Sequence, residues 1–173
     1  DKATRAQIEP YVACLCRELT ATREVADACG LSIKTFYIGG GTPTSLNAVQ
    51  LRRLMEHIRR TFPLETLQEY TVEAGRPDCT DEEKLRILKE YGATRISINP
   101  QTFSDEVLRN IGRKHSGQDI LDCYPTARAV GHDNINMDLI AGLPGDSVGG
   151  FRHSLETAIG LEPENITVHT LTL

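Results

Sequence analysis

Apolar residues recur along this chain in two alternating rhythms, one near ~3.6 residues and one of two, and each change of rhythm predicts a switch between helix and strand. From Thr4 to about Cys29, the residues Ile8, Val12, Leu15, Leu19 and Val25 fall near one helical face. Thr35–Gly39 then reads as a strand. Asn47-x-x-Gln50 has the form of a capping box, opening a helix that carries Leu51, Leu54, Met55 and Ile58 and ends before Phe62-Pro63. Glu69–Ala74 is the next strand. Thr80-x-x-Glu83 predicts a second capping box, and Leu85, Ile87 and Leu88 continue that helix to Tyr91-Gly92. Arg95–Asn99 follows as a strand, Ser104 caps a short helix and Asp119–Val130 forms another. Strand Ile135–Ile140, helix Phe151–Gly160 and strand Asn165–Leu171 complete the pattern.

Such alternation argues for a parallel sheet with crossover helices, either open and doubly wound or closed as a barrel. The parity of the strand side chains separates these. Thr71 and Glu73, Ser97 and Asn99, Asn136 and Asp138, and Thr167 and His169 share one parity, whereas Tyr70, Val72, Ile96, Ile98, Ile135, Met137, Leu139, Ile166 and Val168 hold the other. A sheet covered by helices on both faces would read as near-continuous apolar strands. One polar face in four successive strands instead predicts helices on one side and a wet or ligand-filled lumen on the other, as in a curved, barrel-like sheet.

Composition narrows the class. The 173 residues are 39% hydrophobic and 25% charged, the balance of an ordinary globular domain. A net charge of −5 with no Lys/Arg block disfavours a nucleic-acid surface, and no apolar run is long enough to span a bilayer. The start, Asp1-Lys2-Ala3-Thr4-Arg5, is neither a signal peptide nor an initiator methionine, so the chain is expected to begin inside a longer protein. Cys14, Cys16, Cys29, Cys79 and Cys123 form neither a disulfide framework nor a zinc pattern, which suits a reducing cytoplasm. Cys14 and Cys16, one residue apart on a helix, point to different sides.

The candidate chemistry gathers at strand ends, where barrels keep it. Phe36-Tyr37-Ile38-Gly39-Gly40-Gly41-Thr42-Pro43-Thr44 runs a strand into three glycines, and glycine lets a ligand approach the main chain closely. It lacks the Lys-Ser/Thr of a P-loop and the Gly-x-Gly-x-x-Gly of a dinucleotide fold; a tight β-to-α connection is the plain alternative. Glu73 ends its strand on the polar parity, Gln101 continues the Ser97/Asn99 parity past Pro100, Asp138 lies mid-strand on the same face, and Arg113 and His115 follow in Gly-Arg-Lys-His. A carboxylate accepts from hydroxyls or an ammonium, and a guanidinium forks onto a carboxylate. Structural ion pairs are the alternative reading for Glu73, Asp138 and Arg113. His57 and His153 are expected to be solvated and His132 to sit in a turn, while His115 and His169 could face the site. No Ser-His-Asp or Cys-His order with supporting context suggests a nucleophilic triad.

Taken in order, Gly39-Gly40-Gly41-Thr42-Pro43-Thr44, Glu73-Ala74, Ile98-Asn99-Pro100-Gln101-Thr102-Phe103, Gly112-Arg113-x-His115 and Asn136-Met137-Asp138-Leu139-Ile140-x-Gly142-Leu143-Pro144-Gly145 resemble the core of radical S-adenosylmethionine enzymes. Within them the chain is most similar to the oxygen-independent coproporphyrinogen III oxidase (dehydrogenase) family, from about Tyr11 to Thr172. Glu-Ala-Gly-Arg-Pro-Asp and Ser-Ile-Asn-Pro-Gln-Thr depart from the commonest forms and look like a divergent branch.

The resemblance implies an α/β fold, a partial (β/α)6 TIM-like barrel of the radical SAM type in a single domain, with about five parallel strands and the first strand missing. It implies that Gly40, Gly41 and Thr42 bind the methionine part of S-adenosylmethionine, that Glu73, Gln101, Arg113 and Asp138 contact the cofactor, and that Thr172 lies near the adenosine. It further implies a 4Fe–4S cluster on a Cys-x-x-x-Cys-x-x-Cys loop, which none of the five cysteines forms. By this resemblance the chain is a fragment that lacks that loop and is inactive as it stands. The parent would cleave the cofactor to a 5′-deoxyadenosyl radical acting on a tetrapyrrole, with oxidative decarboxylation of coproporphyrinogen III as the leading reaction and flavodoxin or ferredoxin as electron donor. The alternatives are a haem-binding or haem-delivery protein on the same fold, or a radical enzyme with another substrate. An unpaired edge at Thr35–Gly39 would invite dimerisation through the sheet.

Overall fold

Asn47 opens the helix that the apolar spacing predicts. In the computed structural model, which describes residues 2–171, its side chain accepts from the Gln50 N–H at 2.9 Å while the Gln50 side chain reaches back to the Asn47 N–H. The helix runs Ala48–Thr61 (α2, after α1 at Lys2–Ala28), and Leu51, Leu54, Met55 and Ile58 are all buried on one side of it. Each such side chain contributes about 1.5–3 kcal/mol by leaving water. On α1, Val12, Cys16 and Ala26 are buried and Ile8, Leu15 and Leu19 pack partly buried against the core, whereas Val25 is exposed.

Five strands are described: β1 (Thr35–Ile38), β2 (Glu69–Glu73), β3 (Arg95–Gln101), β4 (Ile135–Ala141) and β5 (Asn165–Thr170). They form one parallel sheet whose spatial order is the chain order, β1-β2-β3-β4-β5. Helices α3 (Glu82–Glu90), α4 (Asp105–Asn110), α5 (Gly117–Val130) and α6 (Val148–Gly160) lie in the connections. Val168 of β5 stays exposed, while the apolar parity of β1 to β4, with Ile166 of β5, packs into one core with the helices. There Phe36 meets Phe62 and Tyr70 edge-on with centroids 5.1 and 5.4 Å apart, and the Tyr70 hydroxyl reaches Met55 Sδ.

The polar parity forms its own network. Register pairs Ser97 with Asn136 and Asp138 with Thr167, so the polar side chains of neighbouring strands stand side by side. Asn136 Nδ2 donates to Ser97 Oγ (2.9 Å) and Asp138 Oδ1 (2.7 Å), Thr167 donates to Asn136 Oδ1, and Ser97 in turn donates to Asn99 Oδ1 at 2.6 Å. Thr71, Ser97 and Asn136 are buried there. Hydrogen-bonding one another is what allows these groups to leave water.

Two expectations change and one is refined. Thr80 does not cap α3; Asp81 does, accepting from the Lys84 N–H at 2.9 Å. The Thr80 hydroxyl is buried, donates instead to the Arg76 carbonyl and shares a hydroxyl–hydroxyl bond with Thr44 Oγ1, contacts that no local pattern reveals. His132 does sit in the turn that closes α5, but its side chain is buried there, its Nε2–H donating to the Leu85 carbonyl at 3.0 Å. The alternation does not run on smoothly to Gln101: a bulge shifts the register after Ile98, Gln101 pairs with Leu139, and its φ is +66°.

His132 and His115 carry a stability consequence. Burial pulls both imidazoles below the ordinary 6.5, and the carbonyls of Leu85 and Pro100 only partly oppose it. The unfolded chain therefore binds protons first as pH falls, so stability is full above about pH 6.5 and is lost progressively below it, toward the depressed folded values. Urea titrations at pH 7.5 and 5.5 are expected to show this loss, and His132→Gln, which keeps a donor toward Leu85, to shrink it. An equal loss in the variant would remove His132 from the account.

Candidate functional site

At the carboxyl ends of β1, β2 and β3 a cavity of about 170 Å³ is lined by Gly40, Gly41, Thr42, Glu73, Gly75, Arg76, Asn99, Gln101 and Arg113. Six of the candidate residues thus meet in one place. The glycine loop forms one wall, held from behind: Lys84 Nζ donates to the Thr44 carbonyl (2.8 Å) and to the Cys79 carbonyl (2.7 Å), tying the loop after β1 to the turn after β2. Gly40 adopts φ +95°, a left-handed conformation that glycine takes without steric cost.

The strand ends are cut back where the cavity needs room. Gly39 stands one place beyond the Ile38–Val72 pair, and a Cβ there would come 2.8 Å from Glu73 Oε1. Gly75 is the analogue on β2, where a Cβ would lie 3.0 Å from Asn99 Nδ2. Each glycine leaves the next strand's polar side chain free to lie across it. Gln101 reaches the cavity through the bulge, and a non-glycine residue at positive φ is a local strain that the surrounding structure must hold.

Charge divides the cavity. Glu73 brings a carboxylate, while Arg113 and Arg76 bring guanidiniums, neither of which has an ion-pair partner within 4.0 Å among the described residues. Burial lowers the pKa of Arg113, and the like charge of Arg76 lowers it further, with Asp78 opposing. Arg113 is thus a cation held in an unfavourable place, ready to gain from an incoming anion.

Asp138 does not line the cavity. It lies three hydrogen bonds from the cavity residue Asn99, through Asn136 and Ser97. His115 is buried beneath the strand end, its Nε2–H donating to the Pro100 carbonyl at 3.3 Å, and His169 and His153 are exposed. His57 is half-buried and meets Thr20 Oγ1 at 3.0 Å. Thr172 lies outside the described residues. Asn99 and Arg76 were not among the sequence candidates, although both belong to motifs that were: Asn99 shares the parity of Ser97, and Arg76 follows Glu73 in Glu-Ala-Gly-Arg-Pro-Asp.

The fit to cofactors divides the same way. A zwitterionic amino-acid group finds both of its counter-charges in the cavity, so the methionine end of S-adenosylmethionine fits these residues. A 4Fe–4S cluster takes cysteine thiolates, and the cysteines here do not fit it. Cys14 is exposed and Cys16 buried on α1, Cys29 follows that helix, Cys79 sits in a single turn and Cys123 is buried on α5. Among the described residues no group of three or more His, Cys, Asp or Glu could hold a metal.

A five-stranded parallel sheet in chain order, with a glycine loop and polar ligands at its strand ends, is the frame of a radical SAM barrel, and the Radical SAM superfamily model matches residues 17–158. The chain belongs to that superfamily. Within it, the chain is 50% identical over 142 residues to the oxygen-independent coproporphyrinogen-III oxidase-like protein HemZ of Bacillus subtilis, covering 82% of this chain and 28% of that protein. It is 42% identical over 165 residues to the heme chaperone HemW of the same organism, covering 95% and 43%. The solved coproporphyrinogen III oxidase HemN of Escherichia coli, a radical SAM enzyme, superposes with a TM-score of 0.83 at 28% identity, covering 96% of this chain and 38% of that one. The chain therefore spans less than half the length of these relatives. No described helix is long and apolar enough to cross a membrane.

Proposed function

We propose that this chain binds S-adenosylmethionine at the cavity between β1, β2 and β3, and that the protein it belongs to acts on a tetrapyrrole. One observation carries the reading: a single small cavity is lined both by Glu73 and by Arg113 with Arg76, the two charges that an α-amino acid zwitterion requires. In this reading Glu73 accepts from the ammonium, Arg113 donates to the carboxylate, and the loop Gly40-Gly41-Thr42 offers main-chain groups to both. Gln101 and Asp138 are left for hydroxyls, and Thr172 for the adenosine side. A volume of about 170 Å³ suits the amino-acid end alone, with the rest of the cofactor lying along the polar face of β3 and β4. Given one electron from a cluster held elsewhere in the whole protein, the bound cofactor would supply hydrogen-atom abstraction. The reading assigns no residue of this chain to the 4Fe–4S cluster.

The preferred reaction is oxidative decarboxylation of coproporphyrinogen III, supported by the likeness to the HemN structure. Haem binding and delivery is the second reading, supported by the 42% identity to a protein named a heme chaperone. A reducing cytoplasm suits five free thiols, and the reading takes flavodoxin or ferredoxin as electron donor. The edge strand β1 leaves main-chain groups for pairing with a further strand, including one from a second copy.

Absorbance and calorimetric titrations of the chain with S-adenosylmethionine, haem and coproporphyrinogen III separate the two. Cofactor binding accompanied by uptake of the porphyrinogen in preference to haem is the expected result. A haem Soret shift that is indifferent to the cofactor, without porphyrinogen uptake, would replace the decarboxylase reading with the delivery reading.

A further inference from the structure

Tyr37 does not line the cavity, yet its hydroxyl donates to Glu73 Oε1 at 2.6 Å. It projects from β1 on the parity of Thr71 and Glu73, and its ring lies across Gly39 so closely that any Cβ there would collide with the ring as well as with the Glu73 carboxylate. Glu73 makes no other hydrogen bond among the described residues, so this phenol is what holds its carboxylate in place. A carboxylate oxygen engaged by one donor leaves the second oxygen to face the cavity with its lone pairs free.

We propose that Tyr37 is a positioning residue for the amino-acid subsite: its hydroxyl holds one oxygen of Glu73, in the space that Gly39 leaves open, so that the other oxygen is presented to the ligand ammonium. The assignment rests on the zwitterion reading above. A tyrosine that only covered the sheet would use its ring, and phenylalanine would serve as well. More than half of the residue is exposed, at 57%, so losing the hydroxyl leaves the core intact.

The test compares S-adenosylhomocysteine, which carries the α-amino acid group, with 5′-methylthioadenosine, which lacks it, by equilibrium dialysis on the chain. Tyr37→Phe is expected to weaken the first about tenfold, the scale of one hydrogen bond to a charged group, and to leave the second and the melting temperature unchanged. Gly39→Ala displaces the same ring and carboxylate from below and is expected to show the same selective loss. Unchanged affinity for S-adenosylhomocysteine in both variants, or an equal loss for both ligands, would overturn the role of Tyr37 while leaving the cavity reading standing. A wild-type chain that binds the two ligands equally, or neither, would overturn the zwitterion reading and this assignment with it.

Discussion

Arg113→Ala is expected to weaken binding of S-adenosylhomocysteine by about a hundredfold, or ~2.7 kcal/mol, the loss of a charge-assisted pair to a carboxylate that then lies beside the cavity without its partner. The same substitution is expected not to lower the melting temperature. Arg113 has no ion-pair partner within 4.0 Å among the described residues, its burial disfavours the charge, and Arg76 repels it, so the fold gains when the guanidinium leaves. Opposite movements of affinity and stability are the signature of a side chain kept for a ligand. A fall in both would mean that Arg113 is part of the scaffold, and no change in affinity would remove it from the subsite. Because the readout is binding, it needs neither a reductant nor a substrate.

Asn136→Asp is expected to be the most destabilising single-atom exchange in the polar face, at about 4 kcal/mol near neutral pH. Asn136 Nδ2 is the donor that joins Ser97 Oγ to Asp138 Oδ1. An oxygen in its place faces another carboxylate oxygen at 2.7 Å, in a residue that is 3% exposed. Two carboxyls that close cannot both stay ionised, and the proton they share is held above the ordinary aspartate range by the repulsion between them. The sign follows: a pKa raised by folding means that the variant's deficit is full at neutral pH and shrinks as the pH falls through the raised value. His115 and His132 destabilise both proteins alike below about pH 6.5, so they cancel in the difference and leave the carboxyl pair to set it. Urea titrations of both proteins at pH 7.5 and 5.5 should therefore converge; a deficit that is independent of pH would show that the loss is one of shape, not charge. Asn99, whose Oδ1 accepts from the Ser97 hydroxyl, should also lose its orientation at the cavity.

Much of this was readable from the sequence because it is local. Asn47 with Gln50, and Ser104 before α4, cap their helices through bonds spanning three residues. The polar parity of Ser97, Asn136 and Thr167 was visible because a strand has a period of two, whatever it pairs with. What escaped depends on distant partners. Thr80 and Asp81 offer competing caps, and the winner is decided by Thr44, 36 residues upstream, which gives Thr80 a better use for its hydroxyl. His132 is buried because Leu85 offers a carbonyl from another helix, 47 residues away. Gln101 arrives at the cavity, but by a bulge, since Pro100 cannot supply the ladder N–H that would carry the alternation through. Tyr37 was read only as one residue of an apolar strand, because its meaning lies in Glu73 on the neighbouring strand. Arg76 could have been found by asking which charged residues follow each strand end.

The coincidence of spatial order with chain order has a further consequence, for assembly of the chain. Every strand from β2 onward docks on the strand that precedes it, across a connection holding one or two helices, so no pairing waits for a segment made much later. Short loops close at a small entropic cost, and keeping contacting residues near in sequence favours rapid folding. As the chain leaves the ribosome, the sheet can grow strand by strand from β1, each addition covering the edge that the previous one exposed. Apart from the outer edge of β1, which stays open, the edge exposed to misassociation is then always the newest one, which limits the time for which each later strand can recruit a wrong neighbour.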